Sequence, residues 1–247
     1  MTTPDTIIWI SGATEGIGWG LARTVPYANA RVINLSRRQH PDLETVIFDL
    51  TRPETWDAVE QSFRRELANF AGKRAIFIHN AFFRALPRFM GEGDTANHRE
   101  EIVANGMAPQ ILGDMFLRAV KPGYESGLVL MSSAGARSPF EGHSAYCAGK
   151  AGVEMWVRVV RRELKRRGRD TWVVALRPGF VDTPTTRAEA KLPFDVYPVG
   201  PQMARQLESR EGVMTPEEAG VGIWAMLPPK EDKSVLLQGE MVVVGER

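Results

Sequence analysis

Short apolar runs rich in β-branched residues recur along this chain, at residues 6–10, 31–35, 45–48, 75–79, 127–131, 172–176 and 241–244. They are nearly continuous rather than alternating, which is the pattern of strands covered on both faces. Between them, segments 56–70, 100–120 and 148–167 place apolar residues at helical spacing. This alternation predicts one α/β domain, a doubly wound parallel sheet of about seven strands with helices on both faces. No repeat or low-complexity linker divides the chain. The one long irregular stretch, about 184–215, carries Pro184, Pro193, Pro198 and Pro201 together with Phe194, Tyr197 and Met203. A segment of that length in a compact domain is usually functional, and a substrate lid containing some helix is expected.

Composition narrows the class. With 247 residues and 43% hydrophobic content, the chain can bury one full core. The net charge of +1, from 31 basic and 30 acidic residues, gives no general attraction to nucleic acid or anionic membranes. The basic run from Arg158 to Arg169 is interleaved with Val157, Val160 and Leu164, which predicts a packed helical face with solvated arginines opposite. A single cysteine, Cys147, excludes an internal disulfide. The apolar run near the N-terminus is only a strand long and lacks a basic flank, so neither a signal peptide nor a membrane span is expected, and a cytoplasmic location is. His40, His79, His98 and His143 show no ligand-like spacing, and no metal site is expected.

Two regions carry chemistry. Ser11-Gly12-Ala13-Thr14-Glu15-Gly16-Ile17-Gly18 follows the first predicted strand and opens a helix. Glycines there let the backbone approach a pyrophosphate, whose charge the helix N-terminus favours. The second strand ends in Ser36-Arg37-Arg38, where an acidic residue would suit the free ribose hydroxyls of NAD. Arginine suits a 2′-phosphate instead, so NADP(H) is the expected cofactor, with Arg37 on that phosphate and Ser36 and Arg38 assisting. Asp49-Leu50 and Asn80-Ala81 close the third and fourth strands beside the expected crevice. The second region is Tyr146-Cys147-Ala148-Gly149-Lys150, with Ser133 upstream. In a helix, positions i and i+4 share a face, and a nearby ammonium is expected to lower the phenol pKa. Glu141 and Asp182 are candidates for contact with a polar substrate.

Together these motifs resemble the short-chain dehydrogenase/reductase family over nearly the whole chain: SGATEGIG, DL at 49–50, HNA at 79–81, Asn105, the serine of MSSAG, YCAGK, and RPGFVDTP at 177–184. The segments SRR, YCAGKAGVEMW and RPGFVDT look most like the sepiapterin-reductase and benzil-reductase-like members. The resemblance implies a Rossmann fold and residue roles. Tyr146 would protonate the substrate oxygen and Ser133 would orient it. Lys150 would hold the nicotinamide ribose, and Asn105 would anchor a water leading from Lys150. Pro178, Gly179, Val181 and Thr183 would line the nicotinamide site, while Gly12, Thr14, Gly16, Ile17 and Gly18 cradle the pyrophosphate. It implies reduction of a small carbonyl substrate, with NAD(P)+-linked alcohol oxidation or non-catalytic NADP(H) sensing as alternatives. It also implies a homodimer or homotetramer joined through helices near 100–120 and 148–167. The family usually reads Asn-Asn-Ala-Gly after the fourth strand; here His79-Asn80-Ala81-Phe82 puts an aromatic in the last place, either as a cavity wall or in the core.

Overall fold

The structure is a computed structural model and describes residues 4–230 and 232–238. In chain order the elements are β1 (Thr6–Ser11), α1 (Gly16–Arg23), β2 (Ala30–Ser36), β3 (Glu44–Ile47), α2 (Asp57–Leu67), β4 (Arg74–His79), α3 (Thr95–Ile102), α4 (Ala108–Ala119), β5 (Glu125–Met131), α5 (Ser144–Arg166), β6 (Trp172–Arg177), β7 (Phe180–Val181), α6 (Pro184–Glu189), α7 (Gly200–Ser209), β8 (Val213–Met214), α8 (Pro216–Ala225) and β9 (Val235–Leu237). Seven of the strands form one parallel sheet in the order β3-β2-β1-β4-β5-β6-β9. The expected strand at 241–244 lies outside the described residues, and the edge position belongs to β9.

The continuous apolar runs are explained by what covers them. Along β1, Ile7 and Trp9 point into one core and Ile8 and Ile10 into the other. The same alternation places Phe77, Leu128 and Val173 with the residues of α2, α4 and α5, and Ile78, Val129 and Val174 with those of α1 and α8. Both faces are therefore dry, and no strand of the sheet centre needs a polar face.

The stretch 184–215 is more ordered than its proline content suggests. Thr183 caps α6 through a reciprocal capping box with Thr186, and Pro184 occupies the first turn, where its missing N–H costs nothing. β7 and β8 pair as a separate parallel ribbon. Beneath these elements Tyr197, Val199 and Met203 join Phe140 and Phe180 in a third, smaller core. Asp182, a candidate for substrate contact, is instead bonded by Arg187 (2.6 and 3.0 Å) and Arg210 (2.6 Å), so it ties the two ends of this segment together. Glu141 is exposed and does not border the cavity described below.

One buried ion pair joins three elements. Glu154 on α5 accepts hydrogen bonds from Arg177 at the end of β6 (2.7 and 2.9 Å) and from Ser132 after β5 (2.8 Å). Both charged residues are almost completely buried, at 3% and 2% exposure. Removing Glu154 takes two charge-assisted bonds from the buried Arg177 and one hydrogen bond from Ser132. We expect Glu154→Leu to lower unfolding stability in urea by about 3–5 kcal/mol; a loss below about 1 kcal/mol, the worth of an exposed pair, would show that the network is not a structural tie.

Candidate active site

The crevice opens where the winding direction reverses, because β1 has β2 on one side and β4 on the other. Ser11, the last residue of β1, secures this point. Its Oγ accepts the N–H groups of Asn80 and Ala81 (both 2.9 Å), which leaves its own proton for His79 Nδ1 at 3.1 Å. His79 is therefore neutral, with its proton on Nε2. Burial, aided by the Lys150 charge, holds its pKa down at about 3. Asn80 returns a bond to the Ser11 carbonyl at 3.2 Å.

The glycine turn is packed too closely on its neighbours to carry side chains at two of its positions. Gly12 has φ +73°, and a Cβ there would stand 3.1 Å from the Ala81 Cβ. A Cβ on Gly18 would fall 2.1 Å from the Gly12 carbonyl oxygen, so a side chain there would push the turn out of shape. Gly18 thus supports the turn from beneath. The other residues of the motif singled out above, Gly12, Thr14, Glu15, Gly16 and Ile17, line a cavity of about 780 Å³.

That cavity collects most of the sequence-derived candidates. One end is lined by Ser36, Arg37, Arg38, Asp49 and Leu50. Arg38 reaches Glu15 at 3.0 Å and Thr14 at 3.1 Å, while its own N–H bonds Ser36 Oγ. Arg37 lies 3.8 Å from Asp49. Both arginines are about two-thirds exposed, with 67% and 65% of their side chains open. The middle is lined by Asn80, Ala81, Pro178, Gly179, Val181 and Thr183, and the far end by Ser133, Tyr146 and Lys150.

Asn105 does not border the cavity. It sits in a π-helical turn, Val103–Met107, between α3 and α4. Its side-chain amide brackets the backbone of Phe83, accepting from the N–H at 2.8 Å and donating to the carbonyl at 2.9 Å. Its carbonyl packs closely on Gly149 of α5. Phe82, placed beside Phe83 by this clamp, is a wall of the cavity and not a core residue. It is 37% exposed and meets Tyr146 edge-on with ring centroids 5.9 Å apart.

The helix bearing Tyr146 begins at Ser144, four residues before the expected start, so Tyr146 and Lys150 do share a face of α5. The expected sign of the tyrosine shift is corrected by the structure. Lys150 Nζ donates to the Met131 carbonyl at 2.7 Å and stands 5.5 Å from the Tyr146 ring centroid. Burial pushes the phenol up to about 12, against the opposing effect of its hydrogen bond with Ser133, and brings Lys150 down to about 8. Desolvation is the largest cause of both shifts. Tyr146 is accordingly a protonated phenol at neutral pH, the form that can give a proton away.

Sequence reasoning undervalued several cavity residues. His143 stands at the N-cap position of α5 and is buried, and burial brings its pKa down to about 4. Glu189, the last residue of α6, stands 3.9 Å from His143 Nε2. Arg84, Phe140, Tyr197 and Met203 complete this end. A helix-start reading of His143 was available from its position just before Ser144; the approach of Glu189 depends on tertiary folding. Among the described residues no group of three or more His, Cys, Asp or Glu side chains is arranged to hold a metal, and no helix is long and apolar enough to cross a membrane.

The doubly wound sheet thus carries a glycine turn at its crossover and a Ser, Tyr and Lys set at the far end of one cavity. Residues 6–192 match the family model for short chain dehydrogenases, and the chain belongs to that family. It is 27% identical over 186 residues to a benzil reductase ((S)-benzoin forming) of Bacillus cereus, spanning 70% of this chain and 75% of that protein. It is 27% identical over 209 residues to L-xylulose reductase of Bos taurus, spanning 77% and 80% respectively. A solved short chain dehydrogenase of Burkholderia cenocepacia J2315, in complex with NADP, superposes with a TM-score of 0.72 at 20% identity, covering 98% of this chain and 91% of that one.

The phenol assignment is open to direct titration. In the tyrosinate difference spectrum between the protein and its Tyr146→Phe variant, we expect no Tyr146 signal until well beyond the ordinary value of 10.0. Ionisation below that value would show that the Lys150 charge prevails over burial.

Proposed function

We propose that this chain reduces the carbonyl group of a small, hydrophobic or aromatic ketone, aldehyde or diketone, using NADPH. The observation that carries the reading is the convergence of Ser133, Tyr146 and Lys150 at one end of a cavity whose other end bears Ser36, Arg37 and Arg38. The glycine turn lines the cavity where α1 opens, the place at which helix N–H groups favour a pyrophosphate. The cofactor would supply the hydride. Gly12, Thr14, Gly16 and Ile17 would hold its pyrophosphate, and Arg37 and Arg38 its 2′-phosphate. Pro178, Gly179, Val181 and Thr183 would line its nicotinamide. The reductase names of the Bacillus cereus and Bos taurus relatives, and the NADP bound by the Burkholderia cenocepacia protein, support this reading.

The chain's own groups manage charge and protons. Reduction builds negative charge on the carbonyl oxygen, and donors aimed at that oxygen stabilise the transition state. Ser133 would orient the oxygen and Tyr146 would protonate it. The raised phenol pKa favours this direction over alcohol oxidation, which needs the tyrosine as a base. Lys150, fixed by the Met131 carbonyl, would hold the nicotinamide ribose and keep a positive charge beneath the reacting groups. Phe82 and Phe140 would supply an apolar wall. A homodimer or homotetramer is proposed as well. Ile102 and Met107, at the junction of α3 and α4, and Met155 and Val159 on α5 are all 45–56% exposed, as helices awaiting a symmetric partner would be.

Two outcomes test the proposal. Tyr146→Phe should lose carbonyl-dependent NADPH oxidation by about a hundredfold to ten-thousandfold, the usual worth of a general acid, while binding NADPH as before. Near-normal turnover would remove Tyr146 from the acid role. Replacing Arg37 and Arg38 together by alanine should weaken NADPH binding by about tenfold or more while leaving NADH binding unaltered, since a charge-assisted bond to phosphate is worth about 1.5–3 kcal/mol. An unchanged NADPH to NADH affinity ratio, measured by fluorescence titration, would refute the phosphate assignment.

A further inference from the structure

We infer that Glu189 forms a substrate subsite for a hydroxyl group, so that the preferred substrates are hydroxy-ketones or hydroxy-aldehydes. The inference rests on the reductase reading and deepens it. Glu189 ends α6 with its carboxyl only 14% exposed, on the wall of the cavity near Tyr146. No hydrogen bond joins its carboxyl oxygens to another described residue, and His143 Nε2 stands 3.9 Å away, too far for a direct bond. A carboxyl held from water without donors is costly. Here burial pushes its pKa up to about 7, with Arg84 opposing the shift. The donor it lacks has to come from whatever fills the cavity.

The geometry selects the kind of donor. Two polar atoms 3.9 Å apart can share one hydroxyl oxygen placed about 2.8 Å from each. A hydroxyl in that place accepts from the neutral imidazole and donates to the carboxylate, so both of its functions are used. A cationic amine is less suited, because Lys150 and Arg84 already bring two positive charges to this end of the cavity. A carboxylate would meet Glu189 itself. The charge on Glu189 acts on the phenols of Tyr146 and Tyr197, which places the subsite beside the proposed proton donor. The hydroxyl therefore lies close to the reacting carbonyl along the substrate.

The test is steady-state NADPH oxidation by the full chain with paired ketones: α-hydroxyacetophenone against acetophenone, and β-hydroxypropiophenone against propiophenone. A neighbouring hydroxyl also activates a carbonyl, so the ratio of kcat/KM within each pair is compared between wild type, Glu189→Gln and Glu189→Leu. The wild type should favour at least one hydroxylated partner. Glu189→Leu should cut that ratio by about tenfold or more, mainly through KM, because a site built to bond a hydroxyl loses its partner. Glu189→Gln should keep most of the preference, since the amide still accepts a hydrogen bond. An unaltered ratio in Glu189→Leu, or wild-type turnover of the plain ketones alone, overturns the subsite and leaves the reductase reading standing. No turnover of any of the four by a wild type that binds NADPH overturns both.

Discussion

The carboxylate of Glu154 sits where three walls of the candidate site meet, and the placement of Ser133, Lys150 and Pro178 depends on it. Arg177 immediately precedes Pro178-Gly179, which line the middle of the cavity. Ser132 immediately precedes Ser133, and Glu154 itself lies one helical turn beyond Lys150. A buried ion pair gains little stability over apolar residues of similar size, because stripping water from two charges cancels much of their attraction. What it contributes is geometry. An Arg–carboxylate fork with a serine hydroxyl on the same oxygen admits only a narrow range of positions. The two strand ends and α5 therefore cannot slide past one another without breaking charged bonds in a dry interior.

A second polar junction does for the glycine-turn end of the cavity what Glu154 does for the Tyr146 end. Ser11 Oγ satisfies two backbone N–H groups after β4 and gives its proton to His79. This closes the β1/β4 crossover directly under the glycine turn. These two hydrogen-bonded junctions fix register where the backbone leaves the regular ladder. The cavity lies between them.

Much of this was readable in the chain. Continuous β-branched runs gave six of the parallel strands because both faces of the sheet are covered, and spacing alone placed Tyr146 above Lys150. What escaped depends on distances in space. Asp182 reads as a loop acid, but Arg210 approaches it from the far end of the intervening segment. Asn105 reads as a polar residue near the site, but an amide bracketing the Phe83 backbone is invisible without the π-helical turn. Phe82 was undecided between wall and core, since an aromatic side chain suits either. The sign of the Tyr146 shift failed for a related reason: the i+4 lysine is evident in sequence, whereas the burial that opposes it belongs to the folded state.

The resulting electrostatics distinguish two ways of building a proton-transfer site. One uses a cation to hold a tyrosinate ready as a base. The other keeps the phenol neutral by burial and places the cation to one side, on a backbone carbonyl. The structure follows the second course. Desolvation disfavours the charged form of four groups at this end, holding Tyr146 protonated, His143 uncharged and Glu189 close to neutrality, while Lys150 retains its proton below about 8. At neutral pH such a pocket presents proton donors beside the positive charges of Lys150 and Arg84. Negative charge developing on a carbonyl oxygen is stabilised there by both, without moving charges at the moment of reaction.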